Sequence, residues 1–220
     1  MAHFRERIRE ANARFNLTSI RTADAIDDRL LLETLRLAPI FDAAFAGRQT
    51  PIRIVDMGTG SGIPGIPLAI LYPEVDVTLV DATAKKIRFV DETIEVLGLT
   101  NARAVHGRIE ELAHETHWRE TRDVVTARAV GSLSTLLELS MPLLRVGGRA
   151  VFPKGVIGRE EMQAAERAAS ILGARVAGVI ELDPLEGCPV TQVALMDKMS
   201  PIIDRYPRRS GLPAREPLGG

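Results

Sequence analysis

Between Pro51 and Phe152 the chain alternates short β-branched runs with stretches of helical periodicity, and that alternation leaves few folds open. The runs are Ile52–Val55, Val75–Val80, Ala102–Val105, Asp123–Thr126 and Arg149–Phe152. Apolar residues at helical spacing fill the intervals near 64–72, 84–98, 108–117 and 132–145. Consecutive βα units of this length close with right-handed crossovers, which predicts a mainly parallel sheet with helices on both faces. A helix over 158–172 follows, then two strands over 175–182 and 191–196. The turn signals Asp183-Pro184 and Glu186-Gly187 predict that these two form an antiparallel hairpin ending the sheet. The expected class is α/β, Rossmann-like.

The rest of the chain is organised around that unit. Residues 1–48 read as a short helical appendage: Leu30, Leu31, Leu32, Leu35 and Leu37 crowd one segment, with a start signal at Thr22 or Asp24. Residues 49–198 make the α/β domain. The tail from 199 to 220 is rich in proline and arginine and reads as extended. With 45% hydrophobic and 26% charged residues, the chain has the balance of a soluble globular protein. No charge-free apolar run approaches the ~20 residues of a membrane span. The opening MAHFRERIREANARF lacks an apolar signal core, so the cytoplasm is expected. The single cysteine, Cys188, has no partner for a disulfide or a thiolate metal site and reads as a buried structural thiol. A net charge of -1 argues against nucleic-acid binding by bulk charge, so local basic patches have to carry any such role.

The most informative segment runs from Asp56 to Gly65 (DMGTGSGIPG), directly after the first strand and before a helix. Glycines there let the backbone turn tightly and approach a ligand, at the strand ends where open α/β sheets bind. Gly60-x-Gly62-x-x-Gly65 fits the dinucleotide fingerprint, and Asp81 ends the second strand where an acid binds ribose hydroxyls. A pyrophosphate, however, wants free N–H groups and no nearby anion. Asp56 puts a carboxylate at the strand end, and Pro64 and Pro67 remove donors from the first helical turn. A phosphate-free sulfonium cofactor, S-adenosylmethionine, suits this loop better than NAD, with Ile63 apolar beside it. Asp81 reads equally as a helix cap before Thr83.

Other positions carry two readings each. After the third strand an adenine ring lies against Ile109 with Glu110 nearby, or Glu110 simply opens a solvated acidic helix. Arg128, at the end of the fourth strand, faces the transferred group or forms a surface ion pair. It is the one candidate catalytic residue, beside the methionine end of the cofactor or donating to a base. His114-x-x-His117 resembles a metal pair but has no third defined ligand, so no metal is expected. Two basic patches offer phosphate tracks. Over 145–159, Arg145, Arg149, Lys154 and Arg159 stand without an acid, and the tail adds Arg208 and Arg209. Each patch reads otherwise as a solvated face. With few aromatics, recognition of folded RNA is favoured over stacking on single strands.

Assembled, these residues resemble the bacterial 16S ribosomal RNA guanine-N7 methyltransferases, the glucose-inhibited division protein B family. The likeness runs from Asn16-Leu17-Thr18-Ser19-Ile20 through the 56–70 loop and Asp81, Lys85–Val90, Leu97-Gly98-Leu99, Arg108–Glu111, Arg128-Ala129-Val130 and Lys154-Gly155 to Tyr206–Pro213. It departs in two places. Only fifteen residues precede Asn16, and Arg29–Thr34 stands where members commonly carry Arg-His-x-x-Asp-Ser. The resemblance implies a class I S-adenosylmethionine-dependent methyltransferase fold, a guanine N7 in the 530 loop of 16S RNA as acceptor, and cofactor contacts from Gly58, Ile63, Ile109, Glu110 and Arg128. Partners expected are 16S RNA or the 30S subunit, with no DNA, no membrane and a monomeric state. The rival functions are a small-molecule methyltransferase, an NAD-dependent oxidoreductase and a non-catalytic RNA-binding module.

Overall fold

The computed structural model describes residues 1–14, 32–128, 130–183 and 190–220. Cys188, the hairpin turn at 184–189, the start signals at Thr22 and Asp24, and Asn16–Ile20 lie outside them. The described residues hold a mixed sheet of seven strands and form two compact units, Met1–Gly107 and Arg108–Gly220.

The first unit contains α1 (Ala2–Arg14), α2 (Glu33–Arg36), α3 (Ala38–Phe45), β1 (Ile52–Met57), α4 (Gly65–Leu71), β2 (Val75–Asp81), α5 (Ala84–Leu97) and β3 (Ala102–His106). Its strands run parallel in the order β3-β2-β1, with Ile54 opposite Val77 and Val80 opposite Val105. β1 and β2 are buried almost residue by residue, as parallel strands covered on both faces must be. α5 stops where Gly98 takes a left-handed conformation (φ +62) and Gly98 and Leu99 donate back to Glu95 and Ile94. On α1, Phe4 and Ile8 are fully buried. Arg7 donates to Thr93 Oγ1 of α5 at 3.0 Å and lies over the Phe89 ring.

The second unit contains α6 (Ile109–Leu112), β4 (Arg122–Ala127), α7 (Leu133–Ser140), β5 (Leu144–Lys154), α8 (Arg159–Ile171), β6 (Ala174–Glu181), β7 (Gln192–Lys198) and α9 (Leu212–Arg215). The strand order is β4-β5-β7-β6; β4 and β5 are parallel and the other pairs antiparallel, so β6 and β7 are the expected hairpin strands.

Four features differ from the sequence expectation. β5 begins at Leu144, because Gly147-Gly148 is not a turn but an irregularity inside the strand. Gly147 has φ +81, and a Cβ on Gly148 would meet the Arg145 and Arg122 carbonyls at 2.9 and 3.1 Å. α7 ends at Ser140; Met141 still has helical geometry (φ -60, ψ -37), and Pro142 after it has no N–H to continue the helical hydrogen bonds. α6 is one turn only. Beyond it Trp118 turns into the core under the Arg122 guanidinium, 4.7 Å from the ring centroid, and Thr121 Oγ1 donates to the Trp118 carbonyl. The tail is not extended: Ile202, Tyr206 and Pro213 are buried and α9 forms within it.

Register in the antiparallel half is pinned by one carboxylate. Asp197 on β7 lies opposite Arg149 on β5 and Arg175 on β6, and its two oxygens accept from them at 2.7 and 2.8 Å. Burial pushes the Asp197 carboxyl up, but the two guanidinium groups overcome it and hold it below the usual carboxylate range. A carboxyl whose pKa is lower folded than unfolded stabilises the fold above the ordinary carboxylate pKa, and the effect is lost as pH falls through the folded value. Asp197→Asn should therefore be less stable than the unaltered protein at neutral pH, by roughly 1–2 kcal/mol. The gap should close as denaturation midpoints are followed down below about pH 4. A gap that persists unchanged into acid would show that charge is not what Asp197 contributes.

Candidate functional site

Asp56, at the end of β1, is fully buried. Its Oδ2 accepts from the Thr59 hydroxyl at 2.5 Å and from the Gly65 amide at 3.0 Å. The loop is thereby curled over the strand end and handed to the first turn of α4. The sequence reading aimed Asp56 at a ligand; the structure gives it the task of shaping the loop. Gly65 has no room for a side chain, since a Cβ there would lie 2.5 Å from Leu79 and 2.8 Å from Asp56 Oδ2. Gly58, Gly60 and Gly62 have φ of +66, +58 and +90, which only glycine adopts without strain.

Asp81, at the end of β2, is the second organiser. Its Oδ2 accepts from the Gly60 amide at 3.0 Å, and its Oδ1 from the Thr83 amide at 2.8 Å. Lys86 lies 3.9 Å from Oδ2. The capping alternative is thus met in a modified form: the bond goes to the amide of Thr83, the residue that precedes α5. Asp81 also ties the loop to β2, together with the Thr59 amide on the Val80 carbonyl at 2.9 Å.

The donor inventory of this loop tests which nucleotide it fits. The amides of Thr59, Gly60, Gly62, Ile63, Gly65 and Ile66 all donate within the protein, and Pro64 has none. A pyrophosphate would find two carboxylates and engaged amides where it needs free donors. A phosphate-free sulfonium nucleoside needs no such donors. It does need open backbone, and there is some: Gly58 is exposed, and a Cβ on Gly60 would meet nothing closer than the Gly58 carbonyl at 3.9 Å. Ile63, by contrast, is buried, so its side chain belongs to the core.

On the second unit, Ile109 is buried and Glu110 half-buried in the single turn of α6. Glu110 Oε1 accepts from the Gly211 amide at 2.8 Å, and Glu111 Oε1 from the Ser210 hydroxyl at 3.0 Å, so this turn is fastened to the tail. Arg128 is half-buried just past the end of β4. His114 Nε2 lies 2.9 Å from the Pro207 carbonyl and His117 pairs with Glu115, so these histidines do not converge on one point.

Three of the four residues expected on phosphates are engaged with acids. Arg145 bonds Asp123, with Nη2 at 2.6 Å from Oδ1. Lys154 lies 2.9 Å from Glu161 and donates to the Gly131 carbonyl at 2.8 Å. Glu161 also receives the Leu133 amide at the start of α7. Arg208 meets Glu138 through Nε (2.8 Å), Nη2 (2.7 Å) and its own amide (2.9 Å), which raises Arg208 further above its ordinary range. Arg145 and Arg209 are exposed, and of the four Arg209 alone makes no ion pair among the described residues. Sequence reasoning missed the acids. The available signal was Glu138, the one charged residue in the otherwise uncharged helix LSTLLELS, since a buried acid needs a cationic partner.

Comparisons with known proteins identify the family. A family model described as GidB, rRNA small subunit methyltransferase G, matches residues 1–184. The chain is 43% identical over 207 residues to the ribosomal RNA small subunit methyltransferase G of Chloroflexus aggregans, covering 94% of this chain and 84% of that protein. It is 42% identical over 212 residues to the protein of the same name from Deinococcus deserti, covering 96% and 84%. Among solved structures, the antibiotic-resistance methyltransferase Kmr superposes with a TM-score of 0.57 at 18% identity, over 73% of this chain and 92% of that one. A geranyl diphosphate C-methyltransferase from Streptomyces coelicolor, solved with S-adenosyl-L-homocysteine, gives 0.57 at 14% identity, over 76% and 81%. These two establish a fold, the Rossmann-like class I methyltransferase fold. With the family model spanning most of the chain and relatives this similar along nearly all of it, the chain belongs to the rRNA small subunit methyltransferase G (GidB) family.

Proposed function

We propose that this protein transfers a methyl group from S-adenosylmethionine to N7 of a guanine in the 530 loop of 16S ribosomal RNA, in the cytoplasm. The observation that carries the reading is the loop over 58–65. The amides of Thr59, Gly60, Gly62, Ile63 and Gly65 are engaged by Asp56, Asp81 and backbone carbonyls and Pro64 has none, while the backbone at Gly58 and Gly60 stays open. That combination suits a nucleoside without phosphates and disfavours the dinucleotide of an oxidoreductase. The name carried by the relatives supports ribosomal RNA as the acceptor.

In this reading Gly58 and Gly60 let the cofactor approach the backbone, with Asp56 and Ile63 keeping the loop in shape behind them. Asp81 holds Gly60 and presents its remaining lone pairs to ribose hydroxyls. On the second unit Ile109, buried like Ile63, supports the turn that carries Glu110, whose second carboxylate oxygen is the one left to offer, and Arg128 supplies a cation at the end of β4. Bound S-adenosylmethionine supplies a methyl group on a positive sulfur, which the N7 lone pair takes as the C–S bond breaks, leaving S-adenosylhomocysteine and a cationic base. No proton leaves in that exchange, so the protein needs no general base. Its contribution is placement, which reaches about 7–11 kcal/mol in well-aligned systems.

The direct test incubates the protein with labelled S-adenosylmethionine and either naked 16S RNA or 30S particles, then maps the modified base. Label on a guanine N7 of the 530 loop is expected; label confined to small molecules would sink the proposal. Gly60→Ala should weaken S-adenosylmethionine binding at least tenfold by calorimetry, because its Cβ enters the open side of the loop. The accompanying strain at φ +58 is only about 1–2 kcal/mol, so the protein should remain folded. Arg128→Ala should bind RNA almost normally while losing methyl transfer. Unimpaired turnover in that variant would remove Arg128 from the reaction.

A further inference from the structure

We infer that residues 199–220 form a folded RNA-facing strap, in which Arg208 is the anchor and its neighbour Arg209, with Arg215, makes the phosphate contacts. The inference rests on the reading of ribosomal RNA as acceptor and names the surface that would meet it.

The anchor is built from groups far apart in the chain. Glu138 on α7 has no exposed surface, and its carboxylate is occupied by the Arg208 guanidinium on both oxygens and by the Arg208 amide. Arg119 adds a second fastening: its guanidinium donates to the carbonyls of Ile202, Ile203 and Tyr206 at 2.9–3.1 Å. The third is the α6 turn, whose Glu110 and Glu111 hold Gly211 and Ser210. Arg209 lies between the first and third fastenings, so its backbone is fixed on both sides.

The exposed charges of the tail are mainly cationic, Arg205, Arg209 and Arg215 against Asp204 and Glu216. Arg209 and Arg215 are exposed and make no ion pair among the described residues. Both acids of the segment have a cation nearby that offsets them: Asp204, fully exposed, lies 3.4 Å from Arg119, and Glu216, also exposed, lies close enough to Arg208 to raise it. A guanidinium on a fixed backbone matches a phosphate bidentately and loses little freedom on binding it. Arg108, exposed at the start of the fastened turn, extends the same sign of charge. A ribose-phosphate backbone is the partner such a surface fits.

The test uses the full chain, a 16S fragment containing the 530 loop, and a salt series. Arg209→Ala/Arg215→Ala should flatten the slope of log affinity against log salt by roughly 1.4–1.8, about 0.7–0.9 per lost phosphate contact. Affinity should fall on the order of tenfold per contact at 0.1 M salt. The thermal midpoint and the calorimetric affinity for S-adenosylmethionine should stay unchanged. Arg208→Lys keeps the charge and loses the two-pronged geometry. It should lower the midpoint and open the tail to limited proteolysis, as should Glu138→Gln. The pair Arg208→Met/Glu138→Leu should recover part of the midpoint lost in Arg208→Met alone, because no buried carboxylate is left unpaired.

An unchanged salt slope in Arg209→Ala/Arg215→Ala, with RNA still bound by the unaltered protein, overturns the surface while leaving the acceptor reading intact. Arg208→Lys with normal proteolysis and midpoint overturns the anchor. An unaltered protein that binds no RNA overturns the acceptor reading and the surface together.

Discussion

A carboxylate with no exposed surface has to be met by donors, and the way Asp56 is met sets the shape of everything around the glycine loop. Its Oδ2 takes the Thr59 hydroxyl and the Gly65 amide, one at the start of the loop and one at its end, so the chain must fold back over β1 between them. The same oxygen leaves no volume for a side chain at position 65, which explains that glycine by collision rather than by flexibility. Gly60 is then turned toward Asp81, and β1, the loop and β2 become one rigid assembly. Engaging the loop amides internally is what makes the site poor for phosphates. The acidity that looked like a ligand contact in the sequence acts instead through the backbone, by removing the donors a pyrophosphate would require.

The second unit follows the same rule with larger separations. Asp123 and Arg145 are 22 residues apart, and Glu138 and Arg208 are 70 apart. Counting charge along a window scored 145–159 as a basic patch because the acids that neutralise it lie outside the window. Partly buried pairs of this kind are retained less for net stability than because removing one member leaves the other stranded. Their consequence is geometric: Lys154 and Glu161 together hold the Gly131 carbonyl and the Leu133 amide, which fixes the start of α7. The tail, rich in proline and without a helical period, becomes ordered because Glu138, Arg119 and the α6 acids supply partners for it. Its two adjacent arginines, 208 and 209, point to opposite environments, one toward a buried carboxylate and one toward solvent.

Much of the architecture was legible beforehand. All seven strands and the helices between them were readable, the strands from short apolar runs and the helices from a period of about 3.6 residues, because both signals are written into neighbouring side chains. What escaped were features without a local period. Gly147-Gly148 carries turn composition but sits within β5, where Gly147 has φ +81 and a Cβ on Gly148 would crowd the Arg145 and Arg122 carbonyls. α6 is a single turn and Trp118 beyond it is buried, and nothing in the spacing of 108–117 announces either.

By itself the sequence determined the α/β class, the position of the glycine loop at a strand end, and the preference for a phosphate-free cofactor, since each depends on residues within one βα unit. Only the tertiary structure decided what the charged groups do. Asp56 became an internal organiser, Glu110 a fastening for the tail, and Arg145, Lys154 and Arg208 members of ion pairs. The physical reason is that the state of a charge is set by whichever opposite charge or donor folding brings within about 3 Å, and most of those partners come from other elements of the fold.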